Sequence, residues 1–263
     1  MPLPPHAIDW MNRAEIDYIG PFVKAWAAFN AWYRHASGKA QERAMLEYVK
    51  NAPNAARRNV LPLLDNDNGT ADALKLKQAI YDLHQSLDAI HFEVTRKSVV
   101  ERISLRSVCI NPRPLQDKTM ERFGQEFKAA KMPGGAIEVI VTSLQTRKDK
   151  IRITQDQYDP NAMYAHPEFL ANLSYSQRNT LRQFYNDCNP RPMHDLVQGS
   201  GPILTIGTAQ FHCHPDDLFS GLVETIYAMR NALLHGEVDA DPQVLTCYEP
   251  AYRIVMQLLA CIR

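Results

Sequence analysis

The 263-residue chain has no glycine-rich phosphate loop, no Gly-x-Ser-x-Gly elbow and no His-Glu-x-x-His helix. Their absence removes the sequence grounds for P-loop, α/β-hydrolase or zincin chemistry. Nor is there an excess of either charge, since 29 Lys and Arg balance 29 Asp and Glu. No global field then draws the protein to nucleic acid or membrane, and any polyanion site has to be local. That weighs against a protein that coats DNA or RNA, but not against an enzyme with a small basic site. Cysteine is scarce: Cys109, Cys188, Cys213, Cys247 and Cys261 are odd in number and widely spaced, with no CxxC pair. This suits free thiols in a reducing compartment. No stretch approaches a membrane span, and the opening Met-Pro-Leu-Pro-Pro-His has no basic segment leading into an apolar run. The expectation is a cytoplasmic protein without a membrane partner.

What is present is ordinary for a globular protein, with 45% apolar and 22% charged residues. The length allows one large core or a core with a big insertion. Residues 8–19 read as a short amphipathic helix broken by Gly20-Pro21, with Pro21 placed to open a helix over 22–36. There Phe22, Trp26, Phe29 and Tyr33 form a stripe at helical spacing, with Asn30 at its edge and Gly38 as the stop. Tyr33 reads as packing and Arg34 as surface. A helix over 40–50 ends in an Asn51-Ala52-Pro53-Asn54 breaker. Over 72–97, Leu76, Ile80, Leu83, Leu87, Ile90 and Val94 keep a steady three-to-four spacing.

Between 98 and 215 the pattern changes. Asn-Pro-Arg-Pro occurs at 111–114 and again at 189–192, read as extended linkers rather than a repeat. Residues 137–142 and 151–154 read as the strands of a hairpin tipped by Arg147, Lys148, Asp149 and Lys150, and 167–186 return to helical character. His214-Pro215-Asp216-Asp217 then opens a helix to about His235, where Gly236 can supply a left-handed stop, and 248–263 form a last helix. The expected architecture is mainly α: a helical bundle built from 8–97 and 216–263, interrupted over 98–215 by a mixed α+β insert carrying a short β-hairpin.

The penultimate helix ends in Arg230-Asn231-Ala232-Leu233-Leu234-His235. Counting from Leu218 at about 100° per residue, Leu222, Ile226, Met229 and Leu233 share an arc of about 80°. Phe219, Val223, Tyr227 and Leu234 widen it to about half the helix, and Arg230 falls at about 120°, between apolar neighbours. A guanidinium stays charged there, so it needs a partner, a wet cavity or a second chain. Arg230 and His235, five apart, point about 140° away from each other, whereas Asn231 and His235 share a face. A joint role for Arg230 and His235 requires a distorted helix end, or two copies of the helix meeting across a two-fold axis.

Arg-Asn-x-x-x-His at the end of a long helix resembles the signature of the HEPN superfamily, α-helical domains known chiefly as metal-independent endoribonucleases. The segment Phe22-Val23-Lys24-Ala25-Trp26-Ala27-Ala28-Phe29-Asn30-Ala31-Trp32-Tyr33 is similar to the first core helix of many members, and Tyr248-Glu249-Pro250-Ala251-Tyr252 to the start of their closing helix. The resemblance covers about 8–97 and 216–263 and leaves the insert unexplained. It implies that Arg230 and His235 are the catalytic pair, Asn231 their polar companion and Asn30 a supporting residue. It implies a homodimer acting on RNA without metal or cofactor, as a toxin or phage-defence effector with an antitoxin or regulatory protein as a further partner. The residue types suit such chemistry, because imidazole moves protons near neutral pH and a guanidinium holds two phosphate oxygens at once. Basic residues Arg147, Lys148, Lys150 and Arg152 on the hairpin are the candidate RNA-tracking patch, against the alternative of a solvated tip.

Bland alternatives stand beside this reading. Arg, Asn and His at a helix end can simply cap carbonyls, and an edge-of-stripe asparagine can be a satisfied core amide. His212-Cys213-His214 offers three ligands, but adjacent residues seldom converge on one ion, and helix entry explains them better. Cys188 with His194 has nothing in sequence to activate it. The rival function is a non-catalytic HEPN-like module that binds RNA or a nucleotide, or assembles with a protein.

Overall fold

The computed structural model describes residues 17–96, 99–238 and 241–263, so the helix expected over 8–19 falls largely outside them. Among the described residues, helices take about half and strands 18%, in one four-stranded antiparallel sheet and two small sheets. The fold is therefore α+β, which corrects the mainly α expectation. The chain divides into two compact units: residues up to 110 together with 193–263, and residues 111–192, bounded by the two Asn-Pro-Arg-Pro segments. Among the described residues, no helix is long and apolar enough to cross a membrane.

In the first unit, α1 (Ile19–Ser37) has Pro21 in its first turn, and Gly38 at its end in the left-handed region at φ 60°. Its stripe Phe22, Trp26, Phe29 and Tyr33 is buried as the helical spacing predicts. After a short loop come α2 (Glu42–Asn51) and α3 (Ala55–Leu64). The second was not foreseen: the breaker is its start, with the Asn54 side chain accepting from the Arg57 N–H as an N-cap. Helix α4 (Ala71–Ala89) stops well short of residue 97. His91 turns the chain through φ 47°, and β1 (Glu93–Arg96) pairs antiparallel with β2 (Val99–Arg102), so Val94 reaches the core from a strand. Ile90 and Val94 are four apart, a step that keeps to one face of a helix or of a strand alike, which is why periodicity overran the helix end.

The second unit holds the sheet β3 (Lys118–Arg122), β4 (Gln125–Lys131), β5 (Ile137–Ser143) and β6 (Asp149–Gln155), in that order. The expected hairpin is β5–β6, with a register shift between Val141 and Thr142. Strands β3 and β4 were missed because their sequences, Lys-Thr-Met-Glu-Arg and Gln-Glu-Phe-Lys-Ala-Ala-Lys, show little apolar alternation. Their two-residue turn is Phe123-Gly124, both at positive φ, where Asn-Gly would have advertised a hairpin. Phe127, Val139, Val141 and Ile153 on one face pack with Phe169, Leu181 and Phe184 of α6 (Pro167–Asn172) and α7 (Tyr175–Asp187), which follow α5 (Pro160–Ala165).

The first unit closes with the short pair β7 (Ile203–Ile206) and β8 (Ala209–His212), then α8 (Pro215–Leu234), α9 (Pro242–Leu245) and α10 (Tyr248–Cys261). Helix α8 is buried on all sides from Leu218 to Ile226, as expected of a helix inside a core rather than on it. That burial includes one charge, Glu224, 8% exposed. Its Oε1 accepts at 2.6 Å from the fully buried Lys50 ammonium of α2, which also donates to Glu47 and to the Ile110 carbonyl, and both Glu224 oxygens accept from Arg43. These contacts bolt α2 to α8.

Removing the Glu224 charge leaves the enclosed Lys50 with Glu47 as its remaining carboxylate partner. Because Glu47 still faces Lys50 and Arg43, Glu224→Gln should lower the unfolding free energy by roughly 1.5–3 kcal/mol, measured by urea titration with circular dichroism. A loss near zero would show that this cluster does not hold α2 to α8.

Candidate functional site

Helix α8 ends as its sequence dictates. Gly236 takes φ 66°, its N–H donates to the Leu233 carbonyl, and the Glu237 N–H reaches back to Ala232. This is the Schellman arrangement, and it leaves His235 as the C-cap with helical hydrogen bonding intact up to it. The end is not distorted, so Arg230 and His235 stay about 140° apart. The His235 side chain is exposed and without a partner among the described residues.

Arg230 meets two of the needs that its apolar surroundings create. Its side chain is 20% exposed, and Nη1 donates to Asn231 Oδ1 at 2.8 Å and lies 3.6 Å from Glu42 Oε2. Asn231 thus orients the guanidinium, while Nε is buried without an acceptor. Glu42, the first residue of α2, gathers the surrounding groups. Oε1 accepts from Asn30 Nδ2 at 3.2 Å and Tyr33 Oη at 3.0 Å, and Oε2 from Tyr227 Oη at 3.4 Å. Asn30, Asn231 and Arg230 therefore belong to one cluster around Glu42, and His235 does not.

Beside this cluster runs a groove of 390 Å³ between α1 and the end of α8. Val23, Trp26, Ala27, Ala31 and Leu234 give it apolar walls, and Asn30, Arg34 and Arg230 give it polar ones. Arg34 is exposed and no partner engages it among the described residues. The sequence passed over Glu42, placed Tyr227 only in the apolar arc and set Arg34 aside as surface. A signal for Glu42 was there: the loop from Ser37 to Glu42 is so short that α2 must start beside the end of α1, next to Tyr33 and Asn30.

The other candidates fall elsewhere. Arg147 and Lys148 are exposed at the β5–β6 turn and Lys150 lies inside β6, while Arg152 is paired with Glu138 at 2.7 Å and Asp149 at 2.9 Å. Of the four basic residues, Arg152 at least is already engaged by carboxylates. Among the described residues no cluster of His, Cys, Asp or Glu could hold a metal ion, His212-Cys213-His214 included. Cys188 is buried, its thiol pushed up by burial and donating to the Phe184 carbonyl, the opposite of an activated nucleophile.

No family model, curated protein or solved structure matches the chain.

Burial first, and the Glu42 carboxylate next, hold the Tyr33 phenol well above its ordinary range. In the unfolded chain a phenol titrates near about 10. Because the folded value is the higher one, this stabilisation is complete below about pH 10 and is lost as pH rises further. Tyr33→Phe should cost about 1 kcal/mol at neutral pH and should flatten the fall in stability above about pH 10. Unfolding titrations that fall equally steeply for both proteins would contradict this account.

Proposed function

We propose that the protein is a metal-independent endoribonuclease that works as a homodimer and leaves 2′,3′-cyclic phosphate ends. The observation that carries the reading is the state of Arg230: a guanidinium lining a groove, oriented by Asn231 and Glu42, with Nη2 accessible and without a hydrogen bond among the described residues. Such a group can meet a phosphodiester without first being ordered. The resemblance of Arg230-Asn231 and His235 to the HEPN signature supports the same assignment.

In the proposed step the 2′-oxygen attacks the adjacent phosphorus, forming one P–O bond as the bond to the 5′-oxygen breaks. The 2′-hydroxyl proton passes to a base and the departing 5′-oxygen takes one up. His235, exposed and unpaired among the described residues, serves this proton traffic, and Arg230 stabilises the extra negative charge on the phosphate. Since Arg230 and His235 diverge on one straight helix, the site is completed by a second copy, with Arg230 of one protomer near His235 of its partner. A cytoplasmic toxin or antiviral effector restrained by an antitoxin or regulatory protein is the corresponding biological role. A second reading, an RNA- or nucleotide-binding module without cleavage, is favoured by one observation: His235 stands outside the Glu42 cluster.

Assembly is tested by sedimentation at micromolar concentration, which should give twice the mass of one chain. A strict monomer removes the composite site.

For the chemistry, Arg230→Ala and His235→Ala should each abolish RNA cleavage and leave the fold largely intact, alanine being the best helix former. Arg230→Lys should also fail, because a point charge cannot replace the two-donor fork, and Asn231→Ala should reduce the rate less. Cleavage should persist in excess EDTA and leave 2′,3′-cyclic phosphate. Free 3′-hydroxyl ends, or no cleavage by the unaltered protein, would sink the mechanism.

A further inference from the structure

The groove beside Arg230 is graded in polarity along its length. Val23, Ala27 and Ala31 recur every four residues and so line one face of α1, and Asn30 and Arg34 continue along the same helix. From Val23 to Arg34 the axial distance is roughly 16 Å. One end is therefore apolar and the other cationic. Ala27 and Ala31 are exposed and project only a methyl group each, so the helix presents a low shelf there, and Leu234, 53% exposed, stands beside it. At the polar end are two guanidinium groups and one carboxylate: Arg34 has no partner among the described residues, and Glu42 engages only part of Arg230. The local balance is one positive charge in a protein whose net charge is zero. The volume of 390 Å³ lies within the usual range of small-ligand sites, roughly 300–1,000 Å³.

An apolar shelf beside a surplus of guanidinium suits a ligand that is flat and uncharged at one end and anionic at the other. A purely apolar ligand would leave Arg34 and Arg230 facing it unpaired, and a bare inorganic anion would leave the shelf wet. We propose that this groove is a nucleotide subsite, in which a nucleobase lies on the Ala27–Ala31 shelf and its phosphate is bound by Arg34 and Arg230. The choice of a nucleotide over other anions of this shape rests on the ribonuclease reading above. Arg34 is assigned here as a binding residue: it holds the phosphate and takes no part in proton transfer. On an RNA strand the subsite would hold the nucleotide attached to the scissile phosphate, so it would set which base is accepted.

The test is calorimetric titration of the 263-residue chain with adenosine 3′-monophosphate, adenosine and inorganic phosphate, in low salt. The nucleotide should bind at least tenfold more tightly than either half, and Arg34→Ala should weaken it about tenfold while leaving adenosine unchanged. Ala31→Trp fills the shelf at an exposed helical position and should abolish nucleotide binding with the circular dichroism spectrum and melting temperature preserved. Ala27→Glu, which sets a carboxylate on the shelf, should do the same should Ala31→Trp disturb folding. His235→Ala should stop cleavage and leave nucleotide binding intact. Nucleotide binding no tighter than phosphate, or insensitive to both shelf substitutions, overturns the subsite. So does a shelf substitution that splits a dimer while the unaltered protein binds no nucleotide, because the groove would then be a face for a second copy. Nucleotide bound at the groove without any RNA cleavage sinks the ribonuclease reading alone, and cleavage without groove binding sinks the subsite alone.

Discussion

Everything near the proposed site depends on one buried ion pair. Lys50 is wholly enclosed, and its ammonium is surrounded by Glu224, Glu47 and the Ile110 carbonyl. Three acceptors for three N–H donors is a fully satisfied arrangement, the condition under which a buried charge is tolerated. Such a cluster has little tolerance for sliding, because any shift between α2 and α8 leaves a charge in the core without its counter-charge. Arg43, one turn before Glu47, extends the same cluster toward solvent. The register of α2 against α8 is thereby fixed, and with it the place of Glu42 opposite Arg230.

Glu42 converts that register into chemistry. A first-turn carboxylate is favoured at a helix N-terminus, yet this one faces Asn30, Tyr33, Tyr227 and Arg230. The contact with Arg230, at 3.6 Å, is an ion pair too long for a good hydrogen bond. It neutralises part of the charge without occupying the guanidinium fork. An arginine in this condition is oriented but not saturated, which is what binding a phosphate requires. Nη1 already serves Asn231 and faces Glu42, and Nε is buried, so Nη2 is the donor that a phosphate would meet first.

How far the sequence foretold this depended on the type of signal. The stripe Phe22, Trp26, Phe29 and Tyr33, the stops at Gly38 and Gly236 and the β5–β6 hairpin all follow from local rules of spacing and turn chemistry, and each is present. Local rules failed where two conformations share one pattern, as at Val94, or where a strand is polar, as in β3. At the site, Arg230 was legible as a charge within an apolar arc, and Asn30 as an amide at the edge of a stripe. Glu42 was not, because its importance comes from the packing of α2 against α8, which Lys50 and Glu224 determine across 174 positions of sequence. Arg34 was dismissed for a related reason. An exposed arginine is ordinary in sequence, and only the groove beside it gives it a neighbour.

The remaining constraint is the angle between Arg230 and His235. A Schellman end is rigid: two hydrogen bonds from Gly236 and Glu237 close the last turn, so no unwinding swings His235 toward Arg230 at low cost. A single chain therefore carries the proposed phosphate-binding group and the proposed proton carrier on different sides of one helix. If both act on one phosphodiester, two helix ends must meet, and the exposed Leu234 lies between Arg230 and His235 in sequence, where such a contact would bury it. A binding function needs no such meeting, since Arg230, Arg34 and the shelf lie together on one chain. On the proposed reading, catalysis would depend on assembly, and the recognition of a single nucleotide would not.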